Sequence, residues 1–308
     1  MNTRKLFGTD GIRGTANEYP MTPEMCLKLV RSLKVCNLLE TGDSVVVGKD
    51  TRISGDMFEH ALAAAFCSCG IQARLLGIVP TPTLSILTKK LSAAAGIMIS
   101  ASHNQFADNG LKIFDSSGCK LTDYQEAELE KIIFSDAISC QTVTGSEVSR
   151  SLNEKDSLNL YLDEIRESFI FKNQTTTIRL VLDSANGVFS HIAPQLLREF
   201  GFDVTSTHDF PNGININHCC GATSPQILGA NVVKYRAQAG IAFDGDGDRV
   251  ILADENGCTI DGDHILAILA QSENFQYQEI VSTVTSNLAL EKHLALNGVK
   301  LTRTEVGD

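Results

Sequence analysis

Val45-Val46-Val47-Gly48 is a strand-like run that leads into the amphipathic stretch Met57 to Cys69, then Gly70, then a second apolar run from Ile71 to Leu76. Short apolar runs flanking a segment of helical periodicity make this a β-α-β unit. The pattern returns twice. Arg179-Leu180-Val181-Leu182 leads to Pro194 to Phe200, Gly201 and Phe202-Asp203-Val204-Thr205; Ile280-Val281-Ser282-Thr283-Val284 leads to Leu288 to Leu296, Asn297-Gly298 and Val299 to Thr302. Each helix runs into a glycine, the residue favoured at the left-handed position that ends a helix.

The first two units continue alike. Gly96-Ile97-Met98-Ile99 runs into Ser100-Ala101-Ser102-His103-Asn104, and Gly240-Ile241-Ala242-Phe243 runs into an acidic loop. Both loops leave the C-terminal end of a strand, the edge at which open α/β sheets collect ligands, so two functional loops facing one cleft are expected. The third unit should own a third loop, yet the sequence stops at Asp308 soon after that unit's second strand. A C-terminally truncated protein is the expectation. The polar stretch Ser135 to Lys155 reads as a linker, and the predicted units are 1–150, 151–255 and a partial third over 256–308.

Asp244-Gly245-Asp246-Gly247-Asp248-Arg249 is the acidic loop. Carboxylates at alternate positions of an extended backbone project to one side and can converge on a cation, and oxygen donors alone favour Mg²⁺ or Ca²⁺ over zinc or copper. An EF-hand also begins Asp-x-Asp-x-Asp and wants an acid at position twelve, where Glu255 stands. Its sixth position needs glycine, however, and is Arg249 here, while the flanks read as strands. A hairpin tip that binds nothing is disfavoured because three clustered acids repel unless something positive lies between them.

A composition of 43% hydrophobic residues over 308 positions suits a globular protein of two or more domains. No apolar run reaches membrane-span length and Met1 to Gly8 lacks the apolar core of a secretory signal, which points to a cytoplasmic protein. The nine cysteines match no zinc or thioredoxin spacing and read as buried or idle thiols. A net charge of −11 argues against nucleic acid or anionic membrane as partner, so any phosphate site must be built locally from a few basic residues near backbone amides.

Ser102, flanked by small residues after an apolar strand, suits a nucleophile, with a helix N-cap as the commoner use of serine. The loop lacks the Gly-x-Ser-x-Gly elbow of hydrolases. Asp108-Asn109-Gly110 signals a turn, after which Lys112 either returns toward the serine, to shuttle a proton or neutralise phosphate, or stays solvated at a strand start. Arg13, set among glycines in Phe7 to Gly14, makes a plausible anion nest.

Together, Gly8 to Gly14, Gly48-Lys49-Asp50-Thr51-Arg52, Ser100 to Asn104, Asp108 to Lys112 and Asp244 to Arg249 closely resemble the α-D-phosphohexomutase family in order and spacing. Pro211 to Asn217 followed by Cys220 to Pro225 resembles its bacterial branch that acts on glucosamine phosphates rather than its phosphomannomutase and phosphoglucomutase branches. The resemblance implies repeated α/β domains with mixed sheets sandwiched between helices, the third incomplete and the fourth absent. It implies that Ser102 carries a phosphoryl group and that Ser102, Asp244, Asp246 and Asp248 bind one Mg²⁺. It implies that Arg13 stabilises the phosphoserine, that Lys112 transfers a proton, and that Arg249 contacts phosphate; His103 and Asn104 match the motif, His103 as a further catalytic residue and Asn104 as a further phosphate contact. The implied reaction interconverts glucosamine 6-phosphate and glucosamine 1-phosphate through glucosamine 1,6-bisphosphate, with a homo-oligomer possible. Two departures stand out. Gln105 replaces the family's usual proline, which is expected to loosen the loop. The family's Gly-Glu-x-Ser-Gly-His and Arg-x-Ser-Gly-Thr loops are absent from the sequence, so impaired substrate binding is expected.

Overall fold

The computed structural model describes residues 6–135, 141–154, 156–168, 177–272 and 277–306. The first unit contains β1 (Phe7–Gly8), β2 (Gly11–Thr15), α1 (Pro23–Val35), β3 (Ser44–Lys49), α2 (Gly55–Ser68), β4 (Gln72–Ile78), α3 (Thr81–Lys90), β5 (Ala95–Ile99), β6 (Asp108–Asp115), α4 (Asp123–Ile133) and β7 (Ser151–Asn153). Its sheet runs β1-β2-β6-β5-β3-β4-β7, parallel from β5 through β7 and antiparallel from β5 to β1. The strand period of two divides the core. Val45, Val47, Ile97 and Ile99 face α1, α2 and α4, whereas Val46 and Met98 pack with Leu84 and Leu87 of α3 on the other side.

The second unit follows α5 (Ser157–Ser168) with β8 (Arg179–Asp183), α6 (Ile192–Glu199), β9 (Asp203–Thr207), α7 (Pro225–Tyr235), β10 (Ala239–Phe243), β11 (Val250–Asp254) and β12 (Thr259–Ile260), in sheet order β12-β11-β10-β8-β9. Val181 packs toward α7 and Leu182 toward α6. The third unit is α8 (Gly262–Gln271), α9 (Leu288–Leu296) and the parallel pair β13 (Glu279–Thr283) and β14 (Lys300–Thr304), around Ile280, Leu290, Leu294 and Val299.

The three repeats close their helices identically. Gly70, Gly201 and Gly298 have φ of 76°, 88° and 73°, and the amides of Ile71, Phe202 and Val299 reach back to Phe66, Leu197 and Leu294. These bonds satisfy carbonyls that the helix end would leave unpaired. The second helix starts at Ile192, two residues before the expected Pro194, because a first-turn amide has no helical partner to lose.

The stretch expected to be a linker carries structure. Its residues 136–140 and 155 lie outside the described set, but Ser151–Asn153 pairs in parallel with Ala73–Leu75, so the first sheet extends past position 150. This strand is exposed on both faces and is joined by backbone hydrogen bonds, which a polar composition does not reveal.

Candidate active site and metal centre

The Ser102 loop leaves β5 and the acidic loop leaves β10, both at C-terminal strand ends. Ser102 Oγ donates to Asp244 Oδ2 at 2.8 Å and lies 3.4 Å from Asp248 Oδ1, although 142 and 146 positions separate these residues in sequence. Ser102 is buried and holds φ at +52°, a left-handed conformation uncommon for serine. Two further contacts dock the first unit on the acidic loop: Thr81 Oγ1 donates to Asp246 Oδ2 at 2.8 Å, and the Thr81 amide donates to the Asp246 carbonyl at 2.9 Å.

Lys112 is not at the start of its strand and is not solvated. It lies inside β6, 1% exposed, with Nζ 3.0 Å from Asp246 and 2.8 Å from Asp248. Burial alone would lower its pKa, but the two carboxylates outweigh it and hold the ammonium charged well above its ordinary range. Burial likewise raises Asp248, yet Lys112 prevails and keeps that carboxyl below its usual value. Asp244 has no such cation at contact distance among the described residues. Burial, then Asp246 and Asp248, push its carboxyl up to about 8.

Asp244, Asp246 and Asp248 each offer an oxygen within 4.8 Å of the others. Asp246 Oδ1 is buried without a hydrogen-bond partner among the described residues. An all-oxygen donor set, an orphaned buried carboxylate oxygen and a carboxyl unable to ionise normally together fit a hard divalent cation.

Arg13 lies on β2 with its guanidinium 3.0 Å from Asp10. His103 is held below its ordinary pKa by burial, then by the charges of Arg249 and Arg13, so these two arginines and the imidazole share one field beside the serine. Arg249 has a half-exposed side chain 3.8 Å from Asp248, and its amide donates to Asp244. Asn104 Nδ2 donates to Asp108 Oδ2 at 3.0 Å, bracing the loop.

Sequence reasoning quoted the residues beneath the loop only as parts of matching motifs and gave them no role. Arg52 and Asp50 form a fully buried ion pair, Asp50 also accepts from Ser100 Oγ, and Asn217 of the second unit reaches the Ser102 carbonyl. A usable signal was present in an acid and an arginine two apart at the end of an apolar strand, since buried charges are ordinarily paired.

The chain matches the models of the phosphoglucomutase/phosphomannomutase α/β/α domain I over residues 4–138, domain II over 159–257 and domain III over 261–308. It is 42% identical over 314 residues to a phosphoglucosamine mutase of Bdellovibrio bacteriovorus, covering 99% of this chain and 69% of that protein. The phosphoglucosamine mutase of Maricaulis maris is 44% identical over 310 residues with the same coverage. Among solved structures, a phosphoglucomutase/phosphomannomutase family protein from Burkholderia thailandensis superposes with a TM-score of 0.81 at 25% identity, over 100% of this chain and 67% of that one.

Proposed function

The chain belongs to the phosphoglucomutase/phosphomannomutase family, and on that premise we propose that it interconverts glucosamine 6-phosphate and glucosamine 1-phosphate. The observation that carries the chemistry is the 2.8 Å contact between Ser102 Oγ and Asp244, which sets a buried alcohol against a cation-binding loop. Relatives at 42% and 44% identity carry the amino-sugar assignment.

In this reading Ser102 carries the phosphoryl group. Its ester P–O bond breaks as a sugar hydroxyl oxygen bonds to phosphorus, and the hydroxyl proton leaves to a base. The resulting glucosamine 1,6-bisphosphate reorients, and its other phosphate returns to Ser102 by the reverse exchange. Asp244, Asp246 and Asp248, with Ser102, would hold Mg²⁺, which would supply positive charge to the phosphoryl oxygens. Arg13 and Arg249 supply the remaining positive charge, and His103, kept neutral between them, adds none. Lys112 is the candidate proton carrier; held charged by two carboxylates it is a poor acid, so its proton becomes available only as their charge is taken up elsewhere.

The test is to incubate the protein with glucosamine 6-phosphate, Mg²⁺ and a trace of hexose 1,6-bisphosphate and to follow glucosamine 1-phosphate by phosphorus NMR. Glucosamine 1-phosphate should form faster than the matching mannose or glucose products. Preference for either of those sugars would overturn the amino-sugar assignment, and failure of Ser102→Ala to stop turnover would overturn the nucleophile.

A further inference from the structure

Arg52 has no exposed side-chain surface, and all five N–H bonds of its guanidinium are used. Nε donates to Asp50 Oδ2 at 2.8 Å; Nη1 donates to the carbonyls of Gln105 and of Asp108, the latter at 3.0 Å; Nη2 donates to the carbonyls of Ser102 at 3.0 Å and Asn104 at 2.8 Å. Three carbonyls of the Ser102 loop and that of Asp108 at the start of β6 therefore converge on one planar cation whose charge is balanced by Asp50. With every donor occupied, Arg52 has no donor left to offer a phosphate, unlike Arg13 or Arg249. The amide side of Ser102 is held by the same assembly, because Ser102 N donates to Ser100 Oγ at 2.8 Å and Ser100 Oγ donates to Asp50 Oδ2 at 2.7 Å.

The second unit grips the loop from the opposite side. Asn217 Nδ2 donates to the carbonyls of Ser102 and Asn104 at 2.8 and 3.0 Å, the two that Arg52 Nη2 also binds. The link is reciprocal, since Gln105 Nε2 donates to the Asn217 carbonyl at 3.1 Å. Gln105 thus ties the loop to the neighbouring unit by a hydrogen bond that a proline there lacks.

We propose that Arg52 and Asn217 are positioning residues that fix the left-handed backbone of Ser102, and so the aim of its Oγ at Asp244 and Asp248, with Gln105 supplying the return tie. The inference rests on Ser102 being the phosphoryl carrier. A lysine at 52 keeps the charge but loses the planar fork that serves four carbonyls and a carboxylate at once.

The experiment measures phosphoryl uptake from glucose 1,6-bisphosphate by intact mass, together with Mn²⁺ affinity and thermal midpoint, in wild type, Arg52→Lys, Asn217→Ala and the double variant. Uptake should slow about 100-fold in Arg52→Lys and about 10-fold in Asn217→Ala, while Mn²⁺ affinity stays within about 3-fold because three of its four proposed ligands, Asp244, Asp246 and Asp248, sit on the other unit. The double variant should be no more than a few-fold slower than Arg52→Lys, since both side chains hold the same two carbonyls. Wild-type uptake rates in both single variants would overturn the inference alone, as would slowing matched by an equal loss of Mn²⁺ affinity. Asn217→Ala keeps the test open if Arg52→Lys does not fold. No phosphoryl uptake by the wild type would instead sink the functional reading, and the inference with it.

Discussion

A lysine that is 1% exposed and touches two carboxylates is part of the acidic loop's charge balance, and its removal should show that directly. Lys112→Met leaves Asp246 buried without its cation, and breaking such a pair should destabilise the metal-free protein by on the order of 3 kcal/mol. Added Mg²⁺ should restore much of that loss by binding the folded state. Denaturant unfolding in chelator and in Mg²⁺ checks this, and an equal loss in both would mean the ion does not share those carboxylates. A second residue-scale prediction concerns His208, whose imidazole is raised above its ordinary 6.5 chiefly by its 3.0 Å hydrogen bond to buried Asp183. A raised folded value means that the pair stabilises fully below 6.5 and that the contribution fades as pH climbs through the folded pKa. Asparagine tolerates the positive φ of 48° at this site, so wild type should unfold at a higher temperature than His208→Asn near pH 5.5, with the gap closing near pH 8.5. The same gap at both pH values would refute the assignment. At this scale the sequence was informative about residue type and silent about surroundings. Three spaced aspartates reveal an oxygen site, whereas nothing in the neighbours of Lys112 tells that two of those aspartates will bury it.

At the scale of elements, the acidic loop depends on glycine backbone seated against backbone. A Cβ on Gly187 would stand 2.4 Å from the Gly245 carbonyl oxygen, and the adjacent Val188 amide donates to that oxygen at 3.0 Å. The turn between β8 and α6 therefore sets the height of the metal loop. Gly187→Ala should cost about 1–3 kcal/mol of stability, as overpacking does, and weaken Mg²⁺ or Mn²⁺ binding at least about tenfold by displacing the loop. Calorimetric titration with Mn²⁺ decides, and unchanged affinity would show that the loop absorbs the methyl group. The repeated β-α-β units were legible because apolar period and terminal glycines are local properties. The strand Ser151–Asn153 was not, since its side chains are exposed and its pairing with β4 depends on a partner some eighty residues away.

For the molecule as a whole, the units are unequally covered. The third presents a two-stranded parallel sheet with Val281 of β13 and Val284 just after it about 60% exposed, and Leu296 at the end of α9 is 87% exposed. Parallel pairs are ordinarily buried on both faces, so concentration-dependent self-association is expected, and light scattering from micromolar to millimolar protein should detect it. A strictly monomeric signal would argue that this surface is innocuous. The chain spans 69% of the length of its Bdellovibrio and Maricaulis relatives, and the assay of glucosamine phosphate turnover bears on what these residues achieve. The division of labour between the first two units has a consequence during synthesis. Asp244 follows Ser102 by 142 residues, and ribosomes add roughly 5–20 residues per second, so the nascent first unit waits on the order of 10 s before the rest of its catalytic centre exists. On the reading proposed above, Ser102 has no acidic loop to meet until then, and the young polypeptide is not yet equipped to exchange phosphoryl groups with sugar phosphates.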